Sequence, residues 1–86
     1  MPEVVIYTQS WCPYCSRAKK LLERKGVAFR EIKAPHGTPE REESIQRSGG
    51  RTSVPQVFID GRYVGDSDAL AALDAAGKLD PMLRAA

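Results

Sequence analysis

The run Val4-Val5-Ile6-Tyr7 offers no polar position to face water. A strand of β-branched and aromatic residues without alternation is buried on both faces, so it belongs inside a sheet with cover above and below. A helical pattern follows from Pro13 to Lys25. Tyr14, Ala18, Leu21 and Leu22 recur at helical spacing, and Arg17, Lys19, Lys20, Arg24 and Lys25 occupy the other faces. Pro13 suits a first helical turn, where its missing N–H costs nothing, and Gly26 suits the C-terminal cap. Val27 to Lys33 then alternates Val27, Phe29 and Ile32 imperfectly with charged residues, which reads as a half-buried strand. A helical crossover of about a dozen residues between two strands implies parallel pairing with a right-handed connection.

The remaining chain repeats the alternation of elements. Ala34-Pro35-His36-Gly37 reads as a loop, and Thr38-Pro39-Glu40 as a helix start with acids in its first turn; that helix ends near Ser48-Gly49-Gly50. Val54-Pro55 leads into a strand at Gln56-Val57-Phe58-Ile59. Asp60-Gly61 is a hairpin turn signal, and Arg62-Tyr63-Val64 is the returning strand, which Gly65 is expected to break. Asp66-Ser67-Asp68 opens an alanine-rich helix with Leu70, Leu73 and Ala76 on one stripe, and Asp80-Pro81 starts a last helical turn around Met82-Leu83. The expected class is α/β, in the order β-α-β-α-β-β-α, with a mixed four-stranded sheet and helices on both faces: a thioredoxin-like layout. With 86 residues there is room for one small core, so residues 1–86 are expected to form a single domain.

Composition narrows the function classes. A net charge of +2 is too mild to indicate a nucleic-acid or membrane partner. Met1-Pro2-Glu3 is acidic rather than basic, and the apolar run after it is shorter than a secretory or membrane-spanning segment, so the expected location is the cytoplasm. Only two cysteines are present, which excludes a disulfide-dense scaffold. With His36 as the one other good ligand, a self-contained zinc site is not expected either.

Those two sulfurs sit where the first strand hands over to the first helix, in Trp11-Cys12-Pro13-Tyr14-Cys15. The thiolate is the reactive form of cysteine. The positive end of a helix dipole stabilises it, lowering the pKa from about 8.5 toward roughly 3.5–7.5. Cys12, at or just before the first helical position, is placed as nucleophile; Cys15, inside the first turn, is placed to attack a disulfide formed on Cys12. A zinc half-site shared between two chains, a structural disulfide and two coincidental buried cysteines are the blander readings, and a CxxC pair at a strand-to-helix turn favours redox chemistry over all three.

Cys12-Pro13-Tyr14-Cys15, the Val54-Pro55 approach to the third strand and the Gly65-Asp66-Ser67-Asp68 helix start occur in the order found in dithiol glutaredoxins of the CPYC type. The chain resembles short bacterial members of that family over nearly its whole length. The resemblance implies a glutathione-dependent thiol–disulfide oxidoreductase. Such an enzyme acts on protein–glutathione mixed disulfides and on small or protein disulfides, as a monomer, with glutathione as co-substrate and no tightly bound cofactor. It further implies that Asp68 pairs with the ammonium of glutathione while the N–H groups of Ser67 and Asp68 receive the γ-glutamyl carboxylate, beside Gly65. Val54 pairs through its backbone with the substrate cysteine if the bond to Pro55 is cis, and Tyr14 flanks the bound tripeptide. Without the resemblance, a plain N-cap is the favoured reading of Asp66-Ser67-Asp68, and Pro55 reads as an ordinary proline at the first residue of an edge strand.

Three positions depart from the family pattern. Gln9 stands where a lysine is frequent, so the anchor for the glycine carboxylate loses its charge; Arg41, on the second helix, is the candidate to supply it. Asp66 stands where a second glycine is frequent, and Ala69 where a second acid is. Trp11 either contacts protein substrates or packs against its own loop, and the basic face of the first helix reads as a solvated one. Two other functions stay open at this point: a thioredoxin-type electron carrier indifferent to glutathione, and a non-enzymatic dimer holding a [2Fe–2S] cluster through Cys12 and glutathione, against which Pro13 counts.

Overall fold

The computed structural model describes residues 2–84; Met1, Ala85 and Ala86, which the expected 1–86 domain includes, lie outside the described residues. Eight elements follow one another: β1 (Val4–Thr8), α1 (Pro13–Arg24), β2 (Arg30–Lys33), α2 (Pro39–Arg47), β3 (Gln56–Ile59), β4 (Arg62–Gly65), α3 (Ser67–Ala75) and α4 (Leu79–Arg84). The strands form one four-stranded sheet in the order β2-β1-β3-β4. β1 runs parallel to β2 and antiparallel to β3, and β3 to β4 is the antiparallel hairpin.

β1 is buried along its whole length because it is central and covered on both sides. Val4 and Ile6 pack with Ala18, Leu21 and Leu22 of α1, Val57 and Ile59 of β3, Leu70 of α3 and Leu79 and Leu83 of α4. Val5 and Tyr7 face the other way, onto Ala34 and Phe58, with Ile32 and Tyr63 at the margin. On that side the Tyr7 and Phe58 rings meet edge-on at 5.5 Å. The Tyr7 hydroxyl donates to Glu43 and accepts from Arg47 of α2, and burial is the main reason that hydroxyl is held above its usual pKa.

Three boundaries differ from the sequence reading. β2 begins at Arg30, not Val27, because its pairing starts at Val5↔Arg30 and the residues before it have no strand alongside. Val27 and Phe29 still contribute, packing on the α1 side, whereas Ile32 faces the α2 side; that change of face is the imperfect alternation in the sequence. Gly65 does not break β4 but closes it, paired with Val57 beyond an irregularity at Val57/Phe58. Ala76 leaves the apolar stripe of α3, being its exposed C-cap.

A polar cluster joins α1 to the parallel pair. The buried Thr8 hydroxyl donates to Glu31 Oε2 at 2.6 Å, and Lys19 and Lys33 each bring Nζ to the same oxygen at 3.2 Å. The Thr8 hydrogen bond, followed by those of the two lysines, outweighs partial burial and lowers the Glu31 pKa from 4.5 to about 2. A carboxylate depressed in the fold adds stability above its unfolded pKa and loses it as pH falls through the folded one. Glu31→Gln is therefore expected to cost about 1–2 kcal/mol at neutral pH in urea unfolding. The gap to the parent chain should close as pH drops from 4.5 toward about 2. A gap independent of pH contradicts the assignment.

Candidate active site

The site forms where the carboxyl end of β1 meets the start of α1. Cys12 is the N-cap, in extended conformation (φ −115°, ψ 100°), and its Sγ accepts the Cys15 N–H at 3.1 Å. Pro13 occupies the first helical position, as its fixed φ allows. Cys12 and Cys15 are paired as a disulfide with Cα atoms 5.2 Å apart, an ordinary span for that bond. The two sulfurs are not equivalent: Cys15 is 2% exposed, packed beneath the turn, and Cys12 is half-buried. Of the reduced pair, only Cys12 is open to a disulfide arriving from solvent. The N–H that reaches its sulfur, together with the helix dipole, favours the thiolate there.

Two segments face this turn. The Val54–Pro55 peptide bond is cis. The loop before it is held by buried Gln56, whose Nε2 donates to the carbonyls of Arg51 at 2.8 Å and Ser53 at 2.9 Å. The other segment is the N-terminus of α3. Asp66 caps it by accepting the Ala69 N–H at 2.9 Å, which leaves the first-turn N–H groups of Ser67 and Asp68 without intrahelical acceptors. Ser67 is buried and Asp68 exposed. Between them lies an open cavity of about 170 Å³ lined by Tyr14, Ser53, Val54, Pro55, Asp66, Ser67 and Asp68. One wall is thus aromatic, one is backbone next to a proline, and one is a helix N-terminus carrying a free carboxylate.

Among the residues expected from the sequence, Tyr14, Val54, Pro55, Ser67 and Asp68 meet in this cavity. Gly65 lies behind it, beneath the first turn of α3, where an added Cβ would overlap that of Ala69. Gln9 and Arg41 do not line it. Arg41 is 5% exposed, with Nε and Nη2 donating to the Thr52 carbonyl at 3.1 and 3.0 Å and Nη1 to the Ala34 carbonyl at 2.8 Å and Gln9 Oε1 at 2.9 Å. Arg41, the candidate to supply the positive charge, is thus held by two backbone carbonyls, and its charge lies behind Gln9. Since Arg41 has only donors, Gln9 turns its amide oxygen inward and keeps Nε2 as its available donor.

Ser53 was missed as a lining residue, although its place directly before Val54-Pro55 is the signal that finds it. Asp66, where the family often has glycine, lines the cavity too and caps α3 with its carboxylate. Trp11 does not pack on its loop: at φ 59° it holds its ring 98% exposed. His36 is an exposed loop residue. Among the described residues no cluster of potential metal ligands forms, and no helix is long and apolar enough to cross a membrane.

Comparison with known proteins gives a consistent result. The glutaredoxin family model matches residues 4–64. A glutaredoxin of Pseudomonas aeruginosa is 56% identical over 85 residues, covering 99% of this chain and 100% of that protein. Glutaredoxin 3 of Escherichia coli K12 is 55% identical over 84 residues, covering 98% and 100%. Among solved structures, the glutaredoxin of Brucella melitensis superposes with a TM-score of 0.83 at 52% identity, covering 98% of this chain and 90% of that one. A buckwheat glutaredoxin–glutathione complex gives a TM-score of 0.82 at 31% identity, covering 95% and 76%.

Proposed function

Because the chain belongs to the glutaredoxin family, and is with it a thiol–disulfide oxidoreductase, we propose that it draws electrons from glutathione to reduce protein–glutathione mixed disulfides and small or protein disulfides. The observation that carries this reading is the cavity beside Cys12, where the N-terminus of α3 and the Asp68 carboxylate face Tyr14 and the Val54–Pro55 backbone. A γ-glutamyl group presents a carboxylate and an ammonium side by side. First-turn N–H groups suit the former and Asp68 the latter. Val54 offers backbone groups for strand-like pairing with the central cysteine residue of glutathione, and Gln9 Nε2, oriented by Arg41, offers a neutral donor to the glycine carboxylate. The buckwheat relative held in complex with glutathione supports the assignment.

The chemistry is sulfur displacement. The Cys12 thiolate attacks the glutathionyl sulfur of a mixed disulfide; a Cys12–glutathione bond forms, the substrate sulfur leaves as thiolate and takes a proton. A second glutathione thiolate then attacks that glutathionyl sulfur, releasing oxidised glutathione and restoring Cys12. With a protein disulfide the first bond is between Cys12 and the substrate. Cys15 displaces the substrate thiol, and two glutathiones reduce the resulting Cys12–Cys15 pair. A thiolate stabilised by its helix both attacks at neutral pH and leaves readily.

In the same reading the 1–86 chain works as a single domain and a monomer in a reducing compartment, the cytoplasm, with no tightly bound cofactor; one chain supplies every residue assigned above. Parallel reduction assays test the electron source. The oxidised protein should be reduced rapidly by millimolar glutathione coupled to glutathione reductase, and slowly by thioredoxin reductase with NADPH. The opposite order makes the chain a thioredoxin-type carrier instead.

A further inference from the structure

Trp11 has no role in the chemistry described above, yet its setting is unusual on three counts. It is the single tryptophan of the chain and directly precedes the nucleophile. Its indole is 98% exposed, whereas large aromatic side chains ordinarily gain stability from burial. Its backbone sits at φ 59°, the left-handed region that a bulky residue adopts only at a cost. The ring is therefore not a remnant of the core that failed to pack, because the local backbone turns it outward beside Cys12. Next to it Tyr14 is 53% exposed, and the Arg17 guanidinium lies over the Tyr14 ring at 5.3 Å. Arg17 forms no ion pair among the described residues. Tyr14 belongs to the cavity wall, and Arg17 borders a recess shared with Ser67 and Asp68, whereas the exposed indole next to Cys12 lies outside the cavity lining.

Trp11 and the cavity meet different parts of a substrate. The cavity is lined by Tyr14, Val54 and the α3 start and does not include Trp11. When Cys12 is joined to a cysteine within a polypeptide, the residues flanking that cysteine extend beyond the cavity, and the indole one residue before Cys12 is an exposed apolar surface outside it. We propose that Trp11 is a specificity-determining residue for polypeptide disulfides. It receives an apolar side chain adjacent to the substrate cysteine, with Arg17 favouring an acidic residue further along. The proposal rests on the oxidoreductase reading of Cys12 and names the substrate class that reading leaves open. The reaction is unchanged: Cys12 forms the mixed disulfide, the substrate's other sulfur leaves as a thiol, and Cys15 releases the second as Cys12–Cys15 closes.

The test compares three disulfides with the parent enzyme and Trp11→Ala, using glutathione and glutathione reductase to complete turnover. They are a peptide disulfide with Phe beside the cysteine and Asp two residues on, the same peptide with Ser and Asn there, and the cysteine–glutathione mixed disulfide. Trp11→Ala should lower kcat/KM for the Phe peptide about tenfold, as expected for loss of one well-packed aromatic contact. It should change the other two by less than about twofold. In the Cys15→Ser background, trapping the Phe peptide on Cys12 should move the tryptophan emission to shorter wavelength, whereas trapping glutathione should not. An equal loss on all three substrates, or no difference in emission between the two adducts, overturns the proposal. Failure of the parent enzyme on cysteine–glutathione would instead overturn the glutathione reading; the two peptides are then compared in single turnovers of the reduced enzyme, which need only Cys12 and Cys15.

Discussion

Cys12→Ser is expected to abolish turnover of every disulfide substrate, lowering kcat/KM by about a thousandfold or more, while Cys15→Ser retains reduction of glutathione mixed disulfides. A serine hydroxyl is not ionised near neutrality and forms no disulfide, so neither the helix dipole nor the Cys15 N–H can activate it. The asymmetry between the cysteines follows from their environments. Cys15 is 2% exposed and inside the first turn of α1, where it can reach the sulfur of Cys12 but not that of an arriving substrate. Its loss should be felt when a protein substrate must be released from Cys12. A coupled assay with a glutathionylated peptide and with a protein disulfide measures both limbs. Retained activity in Cys12→Ser contradicts the assignment of the nucleophile.

Gly65→Ala should have the largest effect on stability. Gly65 ends β4 at φ 141°, and a Cβ there would overlap the Cβ of Ala69 in the first turn of α3. The backbone strain and the overlap together are expected to cost about 3 kcal/mol. For a domain of this size that corresponds to a fall in Tm of about 12–24 °C. The overlap can be separated from the strain. Ala69→Gly alone should cost about 1 kcal/mol as a helix glycine. In Gly65→Ala/Ala69→Gly, however, the two changes should combine with a favourable coupling of about 1–2 kcal/mol. Simple additivity would show that Ala69 is not what Gly65 accommodates. Because the same turn of α3 lines the cavity, the single variant should also raise KM for glutathione.

Both effects depend on features that differ in how far a sequence exposes them. β1 was legible because four consecutive apolar residues leave no solvent face, and the start of α1 because Pro13 suits a first helical turn. The cysteine pair was legible for the same reason, as spacing alone puts both sulfurs on one helix turn. The Tyr14, Val54–Pro55 and Asp68 segments are far apart in the chain, and only the family resemblance brought them together in advance. Gly65 was misread as a strand breaker because glycine's usual meaning is local, whereas here it marks the close approach of a helix that follows it.

Arg41 shows the opposite difficulty. An arginine on a polar helix looks solvent-facing, yet its guanidinium turns inward because the carbonyls of Ala34 and Thr52 converge on it. Such satisfaction of backbone acceptors depends on three loops meeting, which no local pattern encodes. Trp11 was undecided from sequence for a related reason: whether an aromatic packs or projects depends on a single backbone torsion, and here that torsion is left-handed.

The central claim, that glutathione is taken at Cys12, is tested most directly by intact-mass measurement of the Cys15→Ser variant after incubation with oxidised glutathione. One glutathione adduct should form, map to the peptide containing Cys12, and disappear on addition of reduced glutathione. An unmodified protein, or an adduct that reduced glutathione cannot remove, would contradict the account.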